Sequence, residues 1–525
     1  MAALQLTTVR HESQTSDEGR QLLSGYTYLT SGHFTVAVEH PPLLKLLWAV
    51  PVWFLHPSPP HGGDAWLAAA DFLYHNRVSA DAMLMAGRCS AIAVSVLLGL
   101  AIAYWARCHF GVGPALFAVF LFAADPNFLA NGRYIKNDVG ASLMIFAATM
   151  IWGDYLVQAT RKRLWLSGLV VGLALTTKNS AMILWPAMLL LYLLHRWQQR
   201  RRFSAVECVR TFGTVGIVAF AVIFLVYGFE VSPAGSSPGF AMRIFPAASW
   251  LTRVPVPALG YFRGLGNLSL RQAGKALEVS YLLGRQSASG WWYMSPVAFA
   301  VKTPLAELAL FGMVLAVAAG RLRTLRLRGM DFRWLLLLAT PACYCVAALV
   351  AHSNAGERHL LPLYPFLFVF SAGVLLGGRA PKWGWPAVAA CGLLLILETG
   401  SVHPHYLAFF NALAGGPAGG REYLVDSNLD WGQDVRNLKV YMDDHRIPSV
   451  CISYFGWADL DYYGIRHRSL PEIRDIVTAD RLDCVAAISA THLALYRDRF
   501  AGLDQLEPDA RIGYSIYMYD LRRRP

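Results

Sequence analysis

RKRLWLSGLVVGLALTTKNSAMILWPAMLLLYLLHRWQQRRR, residues 161–202, holds two apolar runs, at 163–177 and 181–195, between two clusters of basic residues. Each run is nearly long enough to cross the roughly 30 Å hydrocarbon layer as a helix. Lys and Arg in short loops are retained on the cytoplasmic side. The two basic clusters therefore place both ends of the pair in the cytoplasm, and the turn between the runs outside. The same alternation organises the rest of the chain.

Apolar runs recur at 88–106, 114–131, 138–157, 163–177, 181–195, 210–228, 296–319, 333–351, 360–377 and 386–400. Ten spans result, and RLRTLRLR at 321–328 and GRAPK at 378–382 fall on the same face as the first two basic clusters. Of the 525 residues, 55% are hydrophobic and 15% charged, against about a quarter charged in an ordinary soluble domain. The expected fold is an all-α polytopic membrane protein. The net charge of +12 comes from short runs between spans, where basic residues set topology and meet anionic lipid headgroups. No soluble basic domain is present to bind nucleic acid.

Three regions follow. Residues 1–87 form a first loop on the outer face, with LLKLLWAVPVWFL at 43–55 either an interfacial helix or an extra span. The interfacial reading preserves the charge alternation. Residues 88–401 form the membrane domain, with a long outer loop at 231–295. Residues 402–525 contain short β-rich runs, VCISYF, CVAAIS and YSIYMYDL, between helix-like stretches such as PEIRDIVTADRL, the pattern of a small α/β domain on the outer face. Of eight cysteines, Cys89, Cys108, Cys208, Cys343, Cys345 and Cys391 lie in or near apolar spans. Cys451 and Cys484 lie in the polar tail, where a disulfide is permitted.

The ionisable residues gather at the outer ends of the spans. The first loop opens with Asp17 and Glu18, and Glu39 follows beside His40. These acids are either a solvated loop or, shielded by the aromatic residues of LLSGYTYL, a reactive group. A shielded carboxylate can take a proton from an attacking hydroxyl, and a second can hold a divalent cation. In LANGRYIKNDVGASL, Arg133, Lys136 and Asp138 stand between two spans, where charge is costly unless paired or facing a polar cavity. Arg133 and Asp138 either neutralise each other or form a cavity wall. Lys302, in WWYMSPVAFAVKTPL, lies near the outer start of a span, and Arg358, in SNAGERHLLPLYP, precedes another. Singly, such cations can snorkel to headgroups; together with Arg133 they suit a phosphate-bearing lipid. In the tail, Asp426, Asp430 and Asp434 recur every four residues, one face of a helix, with a capping and anchoring role expected.

EHPPLLK, GRYIKND, YLLG with SASGWWY, VKTPL, NAGERHLLPLYP, HPHYLAFFN and DSNLDWGQD, following the acidic pair in this order, resemble the polyprenol-phosphate-sugar-dependent glycosyltransferases of the GT-C class. That class includes protein O-mannosyltransferases and the lipid A aminoarabinose transferase. The resemblance implies about ten transmembrane helices, an outer-face catalytic cavity, and transfer of a sugar from a polyprenyl-phosphate carrier to an acceptor hydroxyl with inversion, at the cytoplasmic (inner) membrane. It makes Asp17 the base and places Glu18 beside it. Glu39 lines the site with His40, Lys136 and Asp138, or holds a metal ion, and Arg133, Lys302 and Arg358 hold donor phosphate. Family members carry a transmembrane helix before the acidic pair, where this chain has sixteen residues. The loop at 231–295 contains no histidine to supply a metal ligand. The competing expectation is a transporter or flippase of a lipid-linked or anionic solute, which places ionisable residues near mid-membrane.

Overall fold

Helices begin where an apolar run meets a side chain able to satisfy its first amides, which have no partner inside the helix. Ser79 accepts from the Ala82 amide to start Ala80–Phe110, Thr160 starts Arg161–Leu175, and Ser204 starts Ala205–Val226. The computed structural model describes residues 1–61, 63–236, 253–272, 279–322, 329–351, 356–470, 483–504 and 506–522. Most of RLRTLRLR, much of the loop at 231–295, and the whole of PEIRDIVTADRL lie outside the described residues.

Five described helices are long and apolar enough to cross a membrane alone: Ala80–Phe110, Asp138–Val157, Ala205–Val226, Phe332–Val350 and Gly384–Ser401. A sixth crossing arises if Met294–Lys302 and Leu305–Gly320, bent by 112°, are one broken span. The bend falls at Thr303 and Pro304, where proline drives the preceding residue to extended backbone. The freed amides of Leu305 and Ala306 are taken by the Glu398 carboxylate at 2.8 and 3.0 Å. The other four expected spans appear as helices of 13 to 15 residues. The run at 114–131, for example, divides at Asp125, whose carboxylate caps Pro126–Asn131. Leu43–Trp53, at 11 residues, is about half the length of a crossing helix, and its Leu47, Val50 and Trp53 are exposed.

The tail carries a five-stranded sheet in the order His467–Ser469, Val450–Ser453, Val485–Ser489, Ile516–Asp520 and Ala510–Ile512. The first two pairings are parallel and the last two antiparallel. Val450–Ser453 and Val485–Ser489 are buried throughout, the signature of central strands covered on both faces. A disulfide joins Cys451 to Cys484. The chain is thus helical in its membrane part, with a small α/β tail.

The first loop and the tail are stitched together. Ser13 and Ser16 donate backbone amides to the carbonyls of Gln433 and Trp431 at 2.9 and 2.8 Å, and the Ser13 hydroxyl donates to the Gly432 carbonyl. This registration sets where Asp17 falls.

Candidate active site

A cavity of about 580 Å³ lies between the first loop, helix ends of the membrane domain and the tail. Asp17 precedes the helix Glu18–Ser31 but makes no capping bond, so its carboxylate is available to the cavity. There it pairs with the Lys136 ammonium and, at 3.5 Å, with the Arg358 guanidinium. Burial pushes the Asp17 carboxyl up, but Lys136 and Arg358 outweigh it and hold the group well below the usual carboxylate range. Burial pulls Lys136 down to about 8, with Asp17 opposing.

The other lining acids are managed the same way. Glu39 pairs with Arg20, whose guanidinium lies 4.2 Å from the Trp66 ring centre. Asp138, at the start of its helix, pairs with Lys178 at 2.5 Å. His40 also lines the cavity; burial, with Lys45 and Lys178 nearby, lowers its affinity for a proton far enough to keep it neutral. Asp426 lines the tail side of the cavity with a left-handed backbone, φ +55°. Burial raises its carboxyl, with Arg358 opposing.

Arg358 reaches the cavity because its loop lies against the tail. Gly356 has φ +74°, and a Cβ there would stand 2.2 Å from the Asn428 side-chain oxygen, so only glycine fits. The same Asn428 oxygen accepts the Glu357 amide at 2.9 Å.

Three expected site residues are not among those lining this cavity. Glu18 is fully buried, bound by Arg88 through both oxygens at 2.9 and 2.7 Å, and accepts the amides of Thr15 and Ile135. It shapes the loop beneath Asp17. Arg133, also fully buried, pairs with Glu12 and Thr8; neither its proposed pairing with Asp138 nor a cavity wall is realised. Lys302 turns into the protein, donating to the carbonyls of Leu407 and Asn428 at 3.0 and 2.8 Å. Buried carbonyls satisfy its ammonium and tie the membrane domain to the tail.

The tail acids are not one helical face either. Asp426 belongs to a short 3-10 turn, Asp426–Asn428, while the helix begins only at Val435. Asp430 anchors the tail, accepting the Thr491 amide at 2.8 Å, and Asp434 accepts the Ser515 hydroxyl at 2.7 Å. Sequence reading missed Arg20, Lys178, Asp426 and Trp431 as cavity residues. The signal for the last two lay in DSNLDWGQD, which breaks helical patterning with Asn, Gly and a buried-type tryptophan.

Among the described residues no group of three or more His, Cys, Asp or Glu is placed to hold a metal ion. Asp17, Glu39 and Asp138 are each paired with a cation.

The cavity lies at the ends of membrane helices and is lined by the cations Arg20, Lys136, Lys178 and Arg358. Residues 77–227 match the family model described as "Dolichyl-phosphate-mannose-protein mannosyltransferase". The matched segment contains Lys136, Asp138 and Lys178. No curated protein matches the chain. Among solved structures, ArnT from Cupriavidus metallidurans bound to undecaprenyl phosphate is similar at 15% identity and TM-score 0.49, covering 98% of this chain and 95% of that one. The archaeal oligosaccharyltransferase AglB from Archaeoglobus fulgidus, in complex with an inhibitory peptide and a dolichol-phosphate, is similar at 11% identity and TM-score 0.44, covering 95% and 70%.

Proposed function

We propose that this protein transfers a sugar from a polyprenyl-phosphate carrier to an acceptor hydroxyl, in the cavity, at the outer face of the cytoplasmic membrane. The observation that carries the reading is the clamp of Asp17 between Lys136 and Arg358, an anion held by two cations where a lipid phosphate can replace it. A polyprenyl phosphate is a competent leaving group once its charge is stabilised. The acceptor hydroxyl is a weak nucleophile and needs a base.

The donor phosphate competes with Asp17 for Lys136 and Arg358. As the two cations turn to the phosphate, the restraint on the Asp17 carboxylate is relieved and its affinity for a proton rises. The acceptor oxygen then bonds to the anomeric carbon while the bond from that carbon to the phosphate oxygen breaks. The electron pair leaves with the polyprenyl phosphate, and the hydroxyl proton passes to Asp17. Attack opposite the leaving phosphate inverts the anomeric centre, by the logic of inverting glycosidases.

A transporter places its ionisable residues near mid-membrane; here Asp138 begins its helix and Lys178 precedes one, which supports chemistry at the membrane face. The purified protein, given a polyprenyl-phosphate sugar and envelope extract, should release free polyprenyl phosphate and form a glycoconjugate of inverted anomeric configuration by NMR. Release without a glycosylated product, or retention of configuration, would overturn the reading.

A further inference from the structure

Both cations of the clamp rest on one aromatic ring. The Lys136 ammonium is 4.0 Å, and the Arg358 guanidinium carbon 4.8 Å, from the centre of the Trp431 indole. The ring is 2% exposed, so water does not weaken these contacts as it does at a surface.

The ring is held in place from several directions. Its amide donates to the Gln433 side-chain oxygen at 2.8 Å, and Tyr134 meets it edge-on with centroids 6.1 Å apart. Its carbonyl accepts the amide of Ser16 at 2.8 Å, the residue directly before Asp17. One tail residue thus fixes the backbone beside the acid and presents a ring to both of its cations.

Two like charges brought together in a buried site repel each other, and Asp17 offsets this only while it stays between them. In the reaction proposed above, on which this inference rests, the cations must leave Asp17 for the phosphate. The negative face of an indole attracts cations by its quadrupole without a formal charge that would compete with the phosphate. We propose that Trp431 is a positioning residue of the donor site: its ring keeps Lys136 and Arg358 together as a phosphate cradle, so that the tail domain completes the donor site.

The test separates ring electrostatics from packing. Mono- to tetrafluorinated tryptophans, introduced at position 431 alone in the full-length protein, weaken the quadrupole stepwise with little change in size. Affinity for a short-chain polyprenyl phosphate should fall with each added fluorine, by about tenfold across the series, at an unchanged melting temperature. Trp431→Phe should retain more affinity than Trp431→Leu. A flat affinity across the fluorinated series overturns the role of the ring. Lys136→Met and Arg358→Met identify which idea has failed: if both weaken binding while fluorination does not, the cradle stands and the ring's role is lost. If neither weakens binding, the donor-site reading falls and this inference with it.

Discussion

The Arg358 guanidinium lies 3.5 Å from the Asp17 carboxylate across 341 positions of sequence. The contact closes the cavity between the first loop and the turn Gly356–His359, and Lys136 joins it from the turn before Asp138–Val157. An acid so tightly paired is a poor base at rest. In the reaction proposed above it becomes useful only when another anion takes its partners, so donor binding would be a precondition for proton transfer.

Asp17→Asn keeps the size of the side chain but removes the charge and the base. Transfer should fall roughly 10² to 10⁴-fold, the range of general-base catalysis. Donor affinity should stay the same or rise, because the competing anion is gone. Measuring polyprenyl-phosphate binding beside turnover checks both; weakened donor binding with near-normal transfer would reverse the assignment and turn attention to Asp426.

Activity should fall at alkaline pH through Lys136. Below about 8 its buried ammonium is charged and, in the proposed reaction, would bind phosphate; above about 8 it is neutral and the proposed cradle loses one of its cations. For the free enzyme, kcat/KM should therefore decline as pH rises past this value. Lys136→Arg, which stays charged over the whole accessible range, should carry the limb to higher pH. A limb unmoved in that variant would assign it to another group.

The cations outside the cavity should behave differently from those inside it. Arg133→Ala leaves the Glu12 carboxylate buried without its partner, and breaking a buried pair costs about 3 to 5 kcal/mol. Lys302→Met leaves the Leu407 and Asn428 carbonyls without their donor, at about 1 to 3 kcal/mol. Both should lower the melting temperature, with donor affinity preserved in the folded fraction. For Lys136→Met and Arg358→Met the loss should lie in donor affinity instead. A folded Lys302→Met protein with selectively weakened donor binding would restore Lys302 to the site.

Much of this arrangement is written in local sequence, and part of it is not. Apolar runs and basic loops lead directly to the helices, and strand-forming runs such as VCISYF to the tail sheet, because both depend on nearest neighbours. Asp17 and Glu39 stand out as acids in the first loop, and Lys136, Asp138 and Arg358 as charges at span ends, and all five line one cavity. Glu18, Arg133 and Lys302 look the same on the page. What divides them is the identity of distant partners: Arg133 meets Glu12 across 121 positions and Lys302 meets Asn428 across 126. Regular spacing misled in DSNLDWGQD, where three acids four apart read as a helix. Gly432, with φ +86°, and the turn at Asp426 instead direct each acid to a separate task.

The last prediction concerns the side of the membrane on which the cavity opens. The basic clusters at 161–163 and 196–202 assign their ends to the cytoplasm, and the Cys451–Cys484 disulfide belongs in an oxidising compartment. In a variant whose other six cysteines are replaced, the tail pair should resist alkylation in intact cells until a reductant is added. Into that background, His61→Cys and Asp461→Cys should react with a membrane-impermeant maleimide from outside, and Arg201→Cys only after the membrane is opened. Labelling of Arg201→Cys in intact cells, with protection of the other two, would invert the topology and place the cavity and its acceptor in the cytoplasm.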